Sequence, residues 1–388
     1  MNWPLNINNF NFWDKIRIAS FILDGKNKWT QNTKVIEFEK LMAEYVGSKY
    51  AVFVSSGSTA NSLMAQYVKD SSKDFIKKNL VIFPSTTWQT SYSPWIREGF
   101  KPHFIDVSME DLSINRAKLE KFVAKNQKEI ACIFPTSLIG FSADMGFYQR
   151  LQDKYGVRVY FDNCENTLGE FNQENVSSYF TSSTSTYFGH QLQSIEGGFI
   201  FTNSKEEFEY FLMQRNHGMT RSLAPYGVDD AKYRNNSVDA LFDFYSLGNN
   251  FRSTDLNAFI GILDFNRINE YKEKRINLYK IFKKNLDKDK FYFCQERRLS
   301  LDVPFCLTII SKRSNKSEVI KLCQSLGIEY RPIVSGFLGY QTCVKECFSD
   351  HSNYPNSIFL HNNGIYIGIH SQVKVANLLE LADKLNKI

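Results

Sequence analysis

Three short stretches carry residue types that could act together chemically. Ser55–Asn61 (SSGSTAN) follows the apolar run YAVFV and opens a helical pattern. Free amides at a helix start, with Gly57 and hydroxyls such as that of Ser58 beside them, form a cradle for an anion, phosphate above all. The same residues would also serve a turn that only caps the helix. No Gly-Lys-Ser/Thr follows, so the stretch is not a Walker loop. Asp162 closes a second apolar run, VRVYFDN, with Glu165 close behind it. An acid at the carboxyl end of a buried strand sits where open α/β sheets place ligands, and it can pair with a protonated ring nitrogen. Its plainer role is to cap the next turn. The third stretch, Ser185–Asn203 (STYFGHQLQSIEGGFIFTN), sets His190 in a polar loop between Ser185 and Glu196-Gly197-Gly198. Imidazole moves protons near neutral pH, although a lone His is more often structural.

The elements that must position these residues follow from the hydrophobic pattern. Tyr50–Val54, Leu80–Phe83, His103–Val107, Ile130–Phe134, Val157–Phe161 and Gly198–Phe201 read as strands, and Ser58–Lys69 and Asn115–Lys125 as helices between them. Alternation of this kind predicts an α/β fold with a mainly parallel sheet. From Thr254 to about Leu286 apolar residues fall at helical spacing without a proline, which predicts one long helix, kinked if anywhere at Gly261. A strand over Val303–Ile310, a helix around Ser317–Leu326 and a last helix over Gln372–Leu385 complete a smaller α+β unit. The expected division is a large domain over 1–255 and a small C-terminal domain over 256–388, joined by the 254–286 helix.

Composition narrows the classes. The chain has 388 residues, with 33 Phe and 20 Tyr, enough aromatic content to argue for packed cores and against disorder. A net charge of +6 without dense Lys/Arg runs gives no nucleic-acid stripe. Seven Cys with no CxxC or CxC pair argue against disulfide frameworks and zinc ribbons and suit a reducing, cytoplasmic setting. No metal site is expected. The opening MNWPLNINNFNFWDK lacks the pattern of a signal peptide, and no apolar run approaches the roughly 20 residues of a membrane span.

Read in order, SSGSTAN, Trp88, FDNCE, STYFGH…EGG and GNNFRSTDLNAFIG resemble the sugar aminotransferases of fold type I, the DegT/DnrJ/EryC1/StrS family. The resemblance implies an aspartate-aminotransferase-like large domain and a pyridoxal 5'-phosphate cofactor. In the aminotransferases a lysine stands five positions after the loop Ser and bonds the cofactor covalently. Here that Ser is Ser185 and the position holds His190, with no Lys between Lys154 and Lys205. Lys-to-His exchange marks the family's 3-dehydratases of 4-keto-6-deoxy sugar nucleotides, and EYRPIVSG (Glu329–Gly336) and NNGIYIGIH (Asn362–His370) resemble that branch too. Another His-type branch carries an iron–sulfur cluster on four Cys that include a CxC pair. This chain has none, so no cluster is expected.

The resemblance implies that Gly57, Ser58 and Ser185 hold the cofactor phosphate, Trp88 covers the ring, Asp162 pairs with its nitrogen and Glu165 lies near its hydroxyl. It makes His190 the catalytic proton carrier. Asn250 would reach the phosphate in the other subunit of a homodimer with shared active sites, although Asn249 stands where the family usually has an aromatic. His217 and Arg331 would contact substrate, with a surface ion pair as the plainer role of Arg331. L-glutamate would convert the cofactor to its pyridoxamine form and leave as 2-oxoglutarate. The C3 hydroxyl of a nucleotide sugar, GDP-linked with mannose configuration, would then be lost and ammonia released. CDP-linked or heptose substrates, and an aminotransferase-like or non-catalytic protein, are the alternatives.

Overall fold

The computed structural model describes residues 2–235, 237–313 and 315–388; Met1, Asn236 and Ser314 lie outside the described residues. Seven strands build the larger sheet: β1 (Tyr50–Val54), β2 (Leu80–Pro84), β3 (Lys101–Ile105), β4 (Ile130–Ile133), β5 (Phe161–Asp162), β6 (Ser182–Ser185) and β7 (Gly198–Thr202). β2 pairs in parallel with β3 and β4, and β5 with β6, while β7 runs antiparallel to both β6 and β1. Parallel bridges Ile133↔Val159 and Thr136↔Asp162 join the two halves. The order is therefore β3-β2-β4-β5-β6-β7-β1, with β7 alone reversed. Helices cover both faces, so the strands are buried on both sides and read as the continuous apolar runs seen in the sequence.

β6 is the strand that pattern reading does not offer. Its sequence, Ser-Ser-Thr-Ser, has no apolar residue, yet all four side chains are buried. Hydrogen bonds replace apolar contact: Ser183 Oγ donates to Asn61 Oδ1 at 2.6 Å and Ser182 Oγ to the Ser177 carbonyl at 3.1 Å.

The expected long helix is two helices, Asp255–Phe265 and Ile268–Asn285. The break falls at Asn266–Arg267, not at Gly261. Arg267 leaves helical geometry (φ −114°, ψ 12°), and its guanidinium pairs with Asp14 at 2.6 Å. Gly261 stays helical for a different reason: a Cβ there would lie 2.4 Å from the Phe38 ring, so its absence lets the helix press onto Thr33–Val46. A second, antiparallel sheet follows, in the order Phe291–Tyr292, Leu307–Ser311, Gly364–Ile367, Tyr330–Pro332. Its core takes in Leu278, Ile309, Ile367, Leu381 and, from the far end of the chain, Trp3.

Within the larger sheet, β7 and the helix that follows β1 meet through a tight backbone contact. Gly198, the first residue of β7, would place a Cβ 2.4 Å from the Gly57 nitrogen and 2.5 Å from the Ser56 carbonyl carbon. Neither partner is a flexible side chain. Gly198→Ala should therefore lower the denaturant midpoint at unchanged slope, by about 1–3 kcal/mol of stability. An unchanged midpoint would show that this contact does not constrain the start of the Gly57–Asp70 helix.

Candidate active site

At the carboxyl ends of β1, β5 and β6 lies a cavity of about 560 Å³, closed on one side by the second sheet. Gly57, Ser58, Trp88, Asp162, Glu165, Ser185, His190 and Arg331 all line it. His217 and Asn250 do not. They lie beside each other in another part of the chain, where Asn216 pairs with Asn250 and the His217 N–H donates to the Asn249 carbonyl at 2.7 Å.

Asp162 is buried and takes three hydrogen bonds: from Asn61 Nδ2 at 2.9 Å and Ser91 Oγ at 2.7 Å on Oδ2, and from the Cys164 N–H at 3.0 Å on Oδ1. An ionised carboxylate has about four acceptor positions, so one remains for a donor in the cavity. A protonated ring nitrogen fits that place.

The Gly57–Asp70 helix begins beside it. Ser56 caps the helix with a capping box to Thr59, which uses the Thr59 N–H, and the Ala60 N–H goes to the Ser56 carbonyl. The N–H groups of Gly57 and Ser58 have no protein acceptor among the described residues. They are the orphan donors of a helix start, where the helix dipole also favours an anion. A Cβ at Gly57 would lie 2.6 Å from Cys164 Sγ and 3.0 Å from Ser185 Cβ, so only glycine leaves the cradle open. Ser58 Oγ is 2.8 Å from Thr90 Oγ1, and Ser185 Oγ accepts from the Tyr187 N–H at 3.2 Å, leaving its own hydrogen to donate. The donor set suits a phosphate.

His190 is half-buried. Its Nδ1 lies 2.7 Å from the Cys164 carbonyl, which can only accept, so Nδ1 carries the hydrogen and Nε2 keeps a lone pair. Among the described residues Nε2 has no hydrogen-bond partner. The ring sits between Phe305 (centroids 5.1 Å apart) and Tyr187 (6.0 Å). Burial holds its pKa down to about 4, against the opposing pull of the Cys164 carbonyl and Asp162. Glu165 moves the other way: burial lifts its carboxyl to about 7, although the Ile139 N–H donates to it at 2.7 Å.

Trp88 stands at the start of the Gln89–Arg97 helix and is 57% exposed, so it is not a core aromatic but an indole facing the cavity. Arg331 lies on the edge strand Tyr330–Pro332; its Nη1 donates to the Tyr330 carbonyl at 2.9 Å, and it has no carboxylate partner among the described residues. Asn249, polar where an aromatic was expected, donates its amide to Gln66 Oε1 at 2.8 Å.

Sequence reading missed Asn61 and Ser91 as holders of Asp162. A signal existed for Asn61, which lies one helical turn after Gly57 and so on the same face. None existed for Ser91, whose partner is distant in sequence. Among the described residues no group of three His, Cys, Asp or Glu is placed to hold a metal ion, and no helix is long and apolar enough to cross a membrane.

A sequence model of the DegT/DnrJ/EryC1/StrS aminotransferase family matches residues 19–386, and the chain belongs to that family. It is 28% identical over 398 residues to the GDP-4-keto-6-deoxy-D-mannose 3-dehydratase of Yersinia pseudotuberculosis, covering 99% of each chain. Among solved structures it resembles the Escherichia coli GDP-4-keto-6-deoxy-D-mannose-3-dehydratase with bound hydrated pyridoxal phosphate (TM-score 0.88, 27% identity, 98% of this chain and 99% of that one). It also resembles a GDP-4-keto-6-deoxymannose-3-dehydratase with a trapped adduct of pyridoxal phosphate and glutamate (TM-score 0.90, 27% identity, 99% and 100%).

The two shifted groups act on stability in opposite senses. Glu165, raised from 4.5 to about 7, stabilises the folded chain fully below 4.5, and this contribution is lost as pH rises through 7. His190, lowered from 6.5 to about 4, destabilises the folded chain as pH falls from 6.5 towards 4. In cofactor-free protein, Glu165→Gln should gain melting temperature relative to the parent as pH rises from about 4.5 to 7. His190→Asn should gain relative to the parent as pH falls from 6.5 towards 4. Melting curves that stay parallel to the parent's across this range would remove both shifts.

Proposed function

We propose that this chain is a pyridoxal 5'-phosphate-dependent, glutamate-consuming dehydratase that removes the C3 hydroxyl of a 4-keto-6-deoxy nucleotide sugar. GDP-4-keto-6-deoxy-D-mannose is the substrate, and GDP-4-keto-3,6-dideoxy-D-mannose, ammonia and 2-oxoglutarate are the products. The observation that carries the reading is His190: an imidazole with one nitrogen fixed and the other free stands in the cavity where the family's aminotransferases have lysine. The similarity to the two dehydratase structures over nearly the whole chain supports it.

When bound, the cofactor supplies a ring that takes up an electron pair and a carbon that exchanges oxygen for an amine. Gly57, Ser58 and Ser185 bind its phosphate. Asp162 holds a proton on its ring nitrogen, which keeps the ring an electron sink. Trp88 covers a ring face and excludes water, and Glu165 faces the ring hydroxyl. His190 Nε2 moves the proton at the carbon that carries the amine, in the glutamate half and in the sugar half. It can do so at neutral pH because burial keeps it in the neutral form. Imidazole forms no lasting bond to an aldehyde, so residue 190 would leave the cofactor's aldehyde carbon free to take up the amine. Arg331 offers a two-pronged contact to a phosphate or carboxylate of the substrate.

In this reading residues 1–255 make up the cofactor-binding domain and 256–388 the small domain, with Trp3 reaching into the small domain's core and the Asp255–Phe265 helix packed on Thr33–Val46. The active unit is a homodimer in which Asn250 reaches the phosphate, and His217 the substrate, of the neighbouring chain. Their absence from their own chain's cavity supports this. So does the exposed apolar surface of Leu241, Phe242, Phe244, Tyr245 and Leu247 close to them in sequence. Co-expressed His190→Asn and Asn250→Ala chains should together regain activity that neither has alone, since one of the two mixed sites is intact. Failure to regain any would place Asn250 at its own chain's site.

With the cofactor, glutamate and the GDP-linked 4-keto sugar, the parent should release ammonia; an amino sugar instead would indicate an aminotransferase. His190→Asn should retain the cofactor, yet lose about 10²–10⁴-fold in both 2-oxoglutarate formation and ammonia release. Unchanged 2-oxoglutarate formation would assign the proton to another group. His190→Lys should keep the cofactor as an added mass after borohydride treatment and denaturation. No added mass would place residue 190 away from the aldehyde carbon.

A further inference from the structure

A side-chain amide from the beginning of the chain faces the same cavity, and the chemistry above does not use it. Residues 3–6 cross the cavity mouth as a strap. Trp3 is buried; its N–H donates to the Gly327 carbonyl at 3.1 Å, its carbonyl accepts from the Glu329 N–H at 3.0 Å, and its indole N–H donates to the Gly368 carbonyl at 3.0 Å. The Pro4 carbonyl lies 3.0 Å from His370 Nε2, and the Leu5 N–H donates to the Glu329 carboxylate at 3.1 Å. A Cβ at Gly368 would come within 2.4 Å of the Leu5 carbonyl oxygen and 2.6 Å of the Pro4 one, so the strap lies directly on that backbone.

Three consecutive residues are thus anchored, and the fourth is delivered to one place. There the Asn6 amide lies on Gly189, the residue before His190: Nδ2 is 2.7 Å, and Cγ 3.0 Å, from where a Gly189 Cβ would be. Asn6 lines the cavity with Arg331, Tyr366 and Gly368, and its amide makes no hydrogen bond among the described residues. An amide both donates and accepts, as a sugar hydroxyl does, whereas phosphates and carboxylates only accept and already have Arg331 and the Gly57–Ser58 amides. Anchoring removes most of the ordering entropy that a free segment would lose on contact.

We infer that Asn6 is a substrate-specificity residue whose amide hydrogen-bonds a hexose hydroxyl of the nucleotide sugar, on the side that faces the Gly189–His190 turn. This rests on the dehydratase reading above. The contact belongs to the sugar half of the reaction alone, because glutamate carries no hydroxyl.

The test is Asn6→Ala in the cofactor-loaded enzyme, with the two halves measured separately. KM for the 4-keto nucleotide sugar should rise about three- to tenfold, the worth of one neutral hydrogen bond. 2-Oxoglutarate formation from glutamate should keep its parental rate. An unchanged KM beside an active parent overturns the role of Asn6 alone. A fall in both halves together overturns it too, since Asn6 would then act by packing on Gly189 and steadying His190. A parent that releases ammonia from no 4-keto nucleotide sugar overturns the dehydratase reading and this inference with it.

Discussion

A carboxylate buried at the end of a strand must be given hydrogen bonds, and the site grows from how Asp162 obtains them. Its donors come from three segments: Asn61 on the Gly57–Asp70 helix, Ser91 on the Gln89–Arg97 helix, and the backbone of Cys164. Each donor is tied further out. Asn61 Nδ2 also donates to the Thr90 carbonyl at 3.1 Å, and its Oδ1 accepts from Ser183 of β6. Thr87 Oγ1 donates to Ser91 at 3.0 Å and lies 2.7 Å from Thr136 Oγ1. Satisfying one buried carboxyl therefore fixes the start of the Gly57–Asp70 helix, the Trp88 segment and the polar strand β6 relative to each other. The same network accounts for a strand without an apolar residue in the middle of the sheet.

The cavity sorts its other titratable groups by one rule. Low polarity favours neutral forms, so it raises Glu165 and lowers His190. Asp162 differs from both in accepting three hydrogen bonds. The result is a carboxyl held by three hydrogen bonds, a carboxyl poised near neutrality and an imidazole with one free nitrogen, three groups made distinct by their surroundings.

What was legible in the sequence follows from range. Strands such as Tyr50–Val54 and Leu80–Phe83 showed because burial on both faces leaves a local apolar run. The Ser56–Gly57 helix start and Asp162 showed because their signals lie within a few residues. β6 and the break at Arg267 did not, because both depend on partners far along the chain: Asn61 for the first and Asp14 for the second. Nothing local in Asn266-Arg267 forbids a helix. Ser91 and Asn6 were hidden for the same reason, since what they face is defined only once distant segments meet. His217 and Asn250 show the limit from the other side: their motifs were visible, but one chain does not bring them to its own cavity.

Replacing a lysine by an imidazole changes what the loop must do. A lysine is located by the bond it makes, whereas a proton carrier that makes no such bond must be located by the protein. His190 has this support on both sides. Its N–H donates to the Tyr187 carbonyl at 2.9 Å, and Nδ1 is held by the Cys164 carbonyl. The next residue, Gln191, accepts from the Leu168 N–H at 3.0 Å and donates to the Val303 carbonyl at 2.6 Å. Further on, the Gln193 N–H donates to Asp264 at 3.0 Å, and Asn257 donates to the carbonyls of Ser194 and Glu196 at 2.7 and 3.0 Å. Val303, Asn257 and Asp264 all lie beyond residue 255, so the position of the His190 imidazole is set jointly by segments before and after that point. The loop before Leu307–Ser311 closes the arrangement: Arg275 Nη1 holds the Phe305 carbonyl at 2.8 Å, and the Phe305 ring rests against His190. The Asp255–Phe265 helix and the loop before Leu307–Ser311 therefore do more than wall the cavity; they hold the His190 loop in place.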